Sequence, residues 1–158
     1  MLIEDAPAVA SRNEAPPAAL WSLALLALAP FPVASGAYVF GQVAQRPGAL
    51  TVLLTWSAMV LSFLGGVRWG METNRATPRW QRMAVSVLSA VIAWILILSR
   101  REIADRWVLI GTIAAFLAQW LFDHQTPDTP SRYPKLSTAV TGAACVCLAF
   151  CLDVAIRS

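Results

Sequence analysis

Charge is what this sequence has least of. Asp, Glu, Lys and Arg make up 13% of its 158 residues, about half the share of a soluble domain, which is roughly 25%. The charges gather in short clusters with long apolar stretches between them, the pattern of a chain that crosses a bilayer several times. Lysine is nearly missing: eleven of the twelve basic residues are Arg, and Lys135 is the exception. With the abundant alanine, this reads as the coding bias of a GC-rich genome. Histidine is reduced to His124, so the paired imidazoles of a bis-histidine haem site are lacking. Cys145, Cys147 and Cys151 have no CxxC spacing and no histidine beside them, which argues against a metal site. They read as small hydrophobes within a helix. No nucleophile, Gly-rich phosphate loop or paired-carboxylate signature stands out, so no cofactor is expected and an enzyme ranks last among the function classes. The net charge of +3 sits beside apolar segments and points to lipid headgroups rather than nucleic acid.

Apolar length is what the chain has most of, at 58% hydrophobic residues. A spanning helix needs about 20 mostly apolar residues, and five segments qualify: 17–40, 49–70, 82–98, 103–122 and 136–156. The expected fold is an all-α membrane protein, a compact bundle of five transmembrane helices with short links. It forms one domain over 16–158 behind a flexible tail of residues 1–15. In that tail Glu4, Asp5 and Glu14 outnumber Arg12, unlike the basic start of a signal peptide, so the first segment is read as a retained helix. With five spans, seven Arg and Lys residues fall on the N-terminal side and five on the other. This favours a cytoplasmic N-terminus in a bacterial inner (cytoplasmic) membrane. Trp21, Trp69, Trp80, Trp107 and Trp120 lie near predicted helix ends and read as anchors at the headgroup level. Trp56 and Trp94 lie deeper.

The stretch LSFLGGVRWG, residues 61–70, closes the second segment. Ala58, Ser62, Gly66 and Gly70 recur every four residues, a small-xxx-small row that lets helix backbones approach in lipid. Ser86 with Ala90, and Ser89 with Ala93, answer it on the third helix. Thr138, Thr141, Gly142 and Cys145 share a face of the fifth. Arg68 lies about 160° around the helix from Gly66, on the face of Leu61, Leu64 and Glu72. It has three options: the headgroups, Glu72 at i,i+4, or Asp123 at the end of the fourth helix. Thr112, Gln119 and Asp123 form a polar strip there, followed by His124. Arg68, Glu72, Gln119, Asp123 and His124 are thus the candidate polar site. In LAPFPVASG, Pro30 and Pro32 kink the first helix and free the carbonyls of Leu26 and Leu28, which need partners in hydrocarbon.

LALAPF in the first helix, LSFLGGVRWG in the second, the Asp123 ending of the fourth and RYPKLSTAVT before the fifth resemble the domain of unknown function 3429 family. These are small multi-pass membrane proteins of the transmembrane protein 69 type. The resemblance covers residues 17–152 and implies a membrane bundle of this size, with no activity attached. It departs at Arg68, where the family often carries a histidine, so no titrating imidazole stands there. Two function classes follow. The first is a non-enzymatic accessory or assembly subunit of a larger membrane complex, respiratory or photosynthetic, with a membrane protein partner or a second copy of itself. The alternative is a binding or transport protein for a lipophilic small molecule, its site lined by Arg68, Asp123 and the kinked first helix.

Overall fold

The computed structural model describes Ser22, residues 25–125 and residues 133–157. The expected tail of 1–15, Trp21 and most of the start of the first segment lie outside the described residues. Among the described residues the α-helices are α1 (Pro30–Phe40), α2 (Arg46–Thr73), α3 (Trp80–Ser99), α4 (Asp105–His124) and α5 (Tyr133–Arg157). Four of them are long and apolar enough to cross a membrane, and Leu25–Phe40 is a shorter apolar helix. No strand occurs among the described residues. The chain is therefore an all-helical, multi-pass membrane bundle.

Local chemistry explains where the helices stop. Pro30 opens α1, where a missing N–H costs nothing. The helix ends at Gly41, whose extended backbone returns its N–H to the Ala37 carbonyl. A 3-10 turn, Val43–Gln45, leads into α2, which has Pro47 in its first turn. Asp105 sits in the first turn of α4, at the pole of the helix dipole that suits its charge. At 1.5 Å per residue the 28 residues of α2 span roughly 42 Å, more than a hydrocarbon core of about 30 Å.

The helices pack in a ring that follows chain order, α1 to α2, α2 to α3, α3 to α4, α4 to α5 and α5 back to α1, with α2 also reaching α4. Leu50, Leu53, Leu61, Val108, Leu109, Phe116, Ala144 and Leu148 fill the centre. Phe31 of α1 meets Phe116 of α4 edge to face, with ring centroids 6.2 Å apart. Outside, large apolar side chains such as Val52, Phe63, Val87, Leu88, Trp94 and Phe150 are exposed. A soluble protein would not carry so wide an apolar surface, whereas lipid accepts it.

The small-residue row lies outside the packing of the described helices. Ser62, Gly66 and Gly70 point out of the bundle, and nothing among the described residues lies within 4 Å of a β-carbon built at Gly66 or Gly70. Ala58 is half-buried. The glycine that packs is Gly65, where a β-carbon would strike the Ser86 carbonyl oxygen and Ser89 Oγ. Ser86, Ser89 and Ala93 are the buried residues of α3, so that helix presents the face expected of it. On α5 the buried row is Ser137, Val140, Thr141, Ala144, Leu148 and Cys151, while Thr138 and Gly142 are exposed. Both misplacements come from matching a spacing of four without fixing which face is inside. Arg68 and Glu72 fix it, because charge within a span turns toward the interior. Gly65 is only about 60° from Arg68 on the helical wheel.

Hydrogen-bonded helix is interrupted at Ala29, although its backbone angles, −53° and −40°, remain helical. The interhelical partner falls between the two expected carbonyls: Trp56 Nε1 donates to the Ala27 carbonyl oxygen at 2.9 Å.

Candidate functional site

The polar residues of α2, α4 and α5 meet at the end of the bundle where α2 finishes. Arg68 projects from the inner face of α2 and Asp123 from the last turn of α4. Their side chains are buried against each other, with Arg68 6% and Asp123 1% exposed. Arg68 Nε donates to Asp123 Oδ1. Gln119 Nε2, one turn back on α4, donates to the same oxygen at 3.2 Å. Ser137 Oγ of α5 donates to Oδ2 at 2.6 Å. Arg68 Nη2 also donates to the Phe122 carbonyl oxygen at 3.0 Å, and its guanidinium lies 4.6 Å from the centre of the Phe122 ring. One carboxylate thus ties three helices together. A charged pair in hydrocarbon persists only with this degree of hydrogen bonding.

Two members of the expected site go elsewhere. Glu72 is buried, but it faces the α2–α3 turn: Oε1 accepts the Arg79 backbone N–H at 3.0 Å, and Oε2 lies 3.3 Å from Arg75 Nε and 4.0 Å from Arg82 Nη1. His124 is exposed and turned back along α4, its ring tilted 40° to that of Trp120 with centroids 4.5 Å apart, and with Nδ1 3.3 Å from the Trp120 carbonyl oxygen. Adjacency in sequence misled here, since successive helical residues diverge by about 100°. Thr112 is buried deeper on α4 and donates to the Val108 carbonyl oxygen.

Ser137 was not legible as a site residue. Its signal is positional: it stands one turn into the helix that follows Asp123, at the same depth. A second clasp sits at the opposite end of the bundle. Arg100, just past α3, donates from Nη1 to Thr51 Oγ1 of α2 at 2.8 Å. Its Nε donates to Asp105 Oδ1 of α4 at 3.3 Å.

The tryptophans divide. Trp69, Trp80 and Trp107 are exposed near helix ends, as anchors would be. Trp120 is half-buried and works between helices, its Nε1 donating to Thr138 Oγ1 at 3.0 Å. Trp94 faces outward.

Chemically, the Arg68–Asp123 centre is closed. Both carboxylate oxygens accept from protein donors, and the aspartate is almost without solvent contact. A small apolar cavity of about 10 Å³ lies deeper between α2, α3 and α4, lined by Leu54, Leu61, Ala93, Leu96, Val108 and Thr112. It has room for one water-sized group. No group of three or more His, Cys, Asp or Glu that would hold a metal ion occurs among the described residues.

Comparison with known proteins agrees with the architecture. The model of the family described as Protein of unknown function (DUF3429) matches residues 16–152. Transmembrane protein 69 of Xenopus tropicalis is 40% identical over 60 residues, which cover 36% of this chain and 24% of that protein. The chain thus matches about a quarter of that relative's length. No solved structure matches it.

Proposed function

This chain belongs to the family described as Protein of unknown function (DUF3429), a membership that prescribes no reaction, and we propose that it serves as a non-enzymatic accessory or assembly subunit of a larger membrane protein complex, respiratory or photosynthetic. The observation that carries this reading is the outer face of α2. Ser62, Gly66 and Gly70 form a flat strip on the longest helix, and no described residue covers the two glycines. The bundle meets its own packing needs through Gly65. In lipid, a strip of small residues favours close approach by another helix. The Arg68–Asp123 centre supports the same reading by its closure, because its polar atoms engage one another rather than turn toward a ligand. The setting we assign is a bacterial inner membrane with the N-terminus in the cytoplasm.

The test is purification of the tagged chain in mild detergent, with mass spectrometry of the proteins that accompany it. A stoichiometric membrane protein is expected, and Gly66→Leu or Gly70→Leu should release it while leaving the thermal unfolding of the isolated bundle unchanged. A chain that purifies alone with one retained lipophilic molecule would instead favour the ligand-binding reading. A partner indifferent to both substitutions would show that the strip is not its seat and would remove the observation that carries this reading.

A further inference from the structure

The turn between α2 and α3 and the first turn of α3 carry three arginines in eight residues, Arg75, Arg79 and Arg82. They are ordered by a single buried acid. Glu72, 6% exposed, accepts the Arg79 backbone N–H through Oε1, and its Oε2 is approached by both Arg75 and Arg82. The turn is thus folded around one carboxylate, and two guanidinium groups share one of its oxygens. Arg79 contributes only its backbone to this arrangement. Its side chain is exposed and makes no ion pair among the described residues.

One carboxylate does not neutralise three arginines. The excess survives a wider count of that end of the bundle. Among the described residues there, five cations, Arg68, Arg75, Arg79, Arg82 and Lys135, stand against two carboxylates, Glu72 and Asp123. The cluster also stands at a defined depth. It occupies the end of α2 and the start of α3, with Trp69 and Trp80 exposed beside it and Trp80 75% accessible. Indole rings of this kind settle among headgroups.

We propose that Arg75, Arg79 and Arg82, held by Glu72 and flanked by Trp80, form a binding site for the phosphate diester of an anionic phospholipid. Guanidinium forks match phosphate oxygens in geometry as well as charge. Basic clusters immediately beside a spanning helix attract anionic headgroups. Glu72 is a positioning residue: its one negative charge fixes the turn and leaves the outward guanidinium surface positive. The site is independent of the α2 strip and of any protein partner.

Native mass spectrometry of the full chain in mild detergent tests this, by titration with phosphatidylglycerol, phosphatidylcholine or inorganic phosphate. Phosphatidylglycerol should bind at least about tenfold more tightly than phosphatidylcholine, and each arginine removed should weaken it about fivefold. Arg79→Gln is the decisive variant, because the contacts of Glu72 with Arg75 and Arg82 and with the residue 79 backbone are kept. It should unfold at the wild-type temperature and still lose affinity. Arg101→Gln with Arg106→Gln, exposed arginines at the opposite end, should leave binding unchanged. Equal binding of the two lipids would overturn the proposal, as would equal loss in the opposite-end variant. Inorganic phosphate binding as tightly as phosphatidylglycerol would overturn the lipid assignment in favour of a soluble anion.

Discussion

Asp123 gathers donors from three directions: Arg68 on α2, Gln119 on its own helix and Ser137 on α5. Removing one partner of such a pair strands the other charge in a medium that cannot solvate it, a loss of roughly 3–5 kcal/mol. Asp123→Leu and Arg68→Leu should each destabilise the bundle by that order in denaturation from detergent. The double variant should lose clearly less than the sum, since no lone charge remains. Additive losses would mean that the two side chains act independently. Ser137→Ala should be milder, about 1 kcal/mol, because interhelical hydrogen bonds in membranes are individually weak and Asp123 keeps its other donors. At this scale much was legible: the depth and helical angle of Arg68, Gln119 and Asp123 are set by spacing alone. Ser137 was not, because hydroxyls are common on helices and only the approach of α5 to α4 selects this one.

The helices differ in what they ask of single residues. Gly65 and Gly66 are neighbours with opposite duties. Gly65 lies under the Ser86 backbone, and Gly66 faces open space among the described residues. Gly65→Ala should therefore push α2 and α3 apart and lower the unfolding temperature by several degrees. Gly66→Ala should be neutral or slightly stabilising, since alanine favours helix over glycine by up to about 1 kcal/mol. If both variants unfold alike, the assignment of faces on α2 is wrong. On α1, the Trp56–Ala27 bond takes up a carbonyl beside the proline break. Trp56→Phe should cost about 1 kcal/mol through the lost hydrogen bond, with most of the ring volume retained. The described bounds of α2 to α5 lie within a few residues of the apolar segments. Their rotation was harder. In lipid both faces of a helix are apolar, so the contrast between a polar and an apolar side that orients a helix in a soluble protein is lost.

The described helices form a ring pinned near both ends, by Arg68–Asp123 at one and by Arg100 with Thr51 and Asp105 at the other. The proposed orientation predicts that a reporter fused after Ser158 and active only outside the cytoplasm gives signal, and that one active only in the cytoplasm stays silent. The reverse pattern would invert every assignment of side, including that of the Arg75–Arg79–Arg82 surface. Apolar runs of about 20 residues and the shortage of charge made the membrane, the number of helices and their alternating direction legible in the sequence, because the bilayer leaves a backbone few other ways to satisfy its hydrogen bonds. Which serine caps the buried carboxylate, and that Glu72 serves the α2–α3 turn rather than Arg68, were decided by tertiary structure alone. Those outcomes depend on where a second helix lies across the first, and a periodic pattern along one chain fixes depth and angle but carries no record of its neighbour.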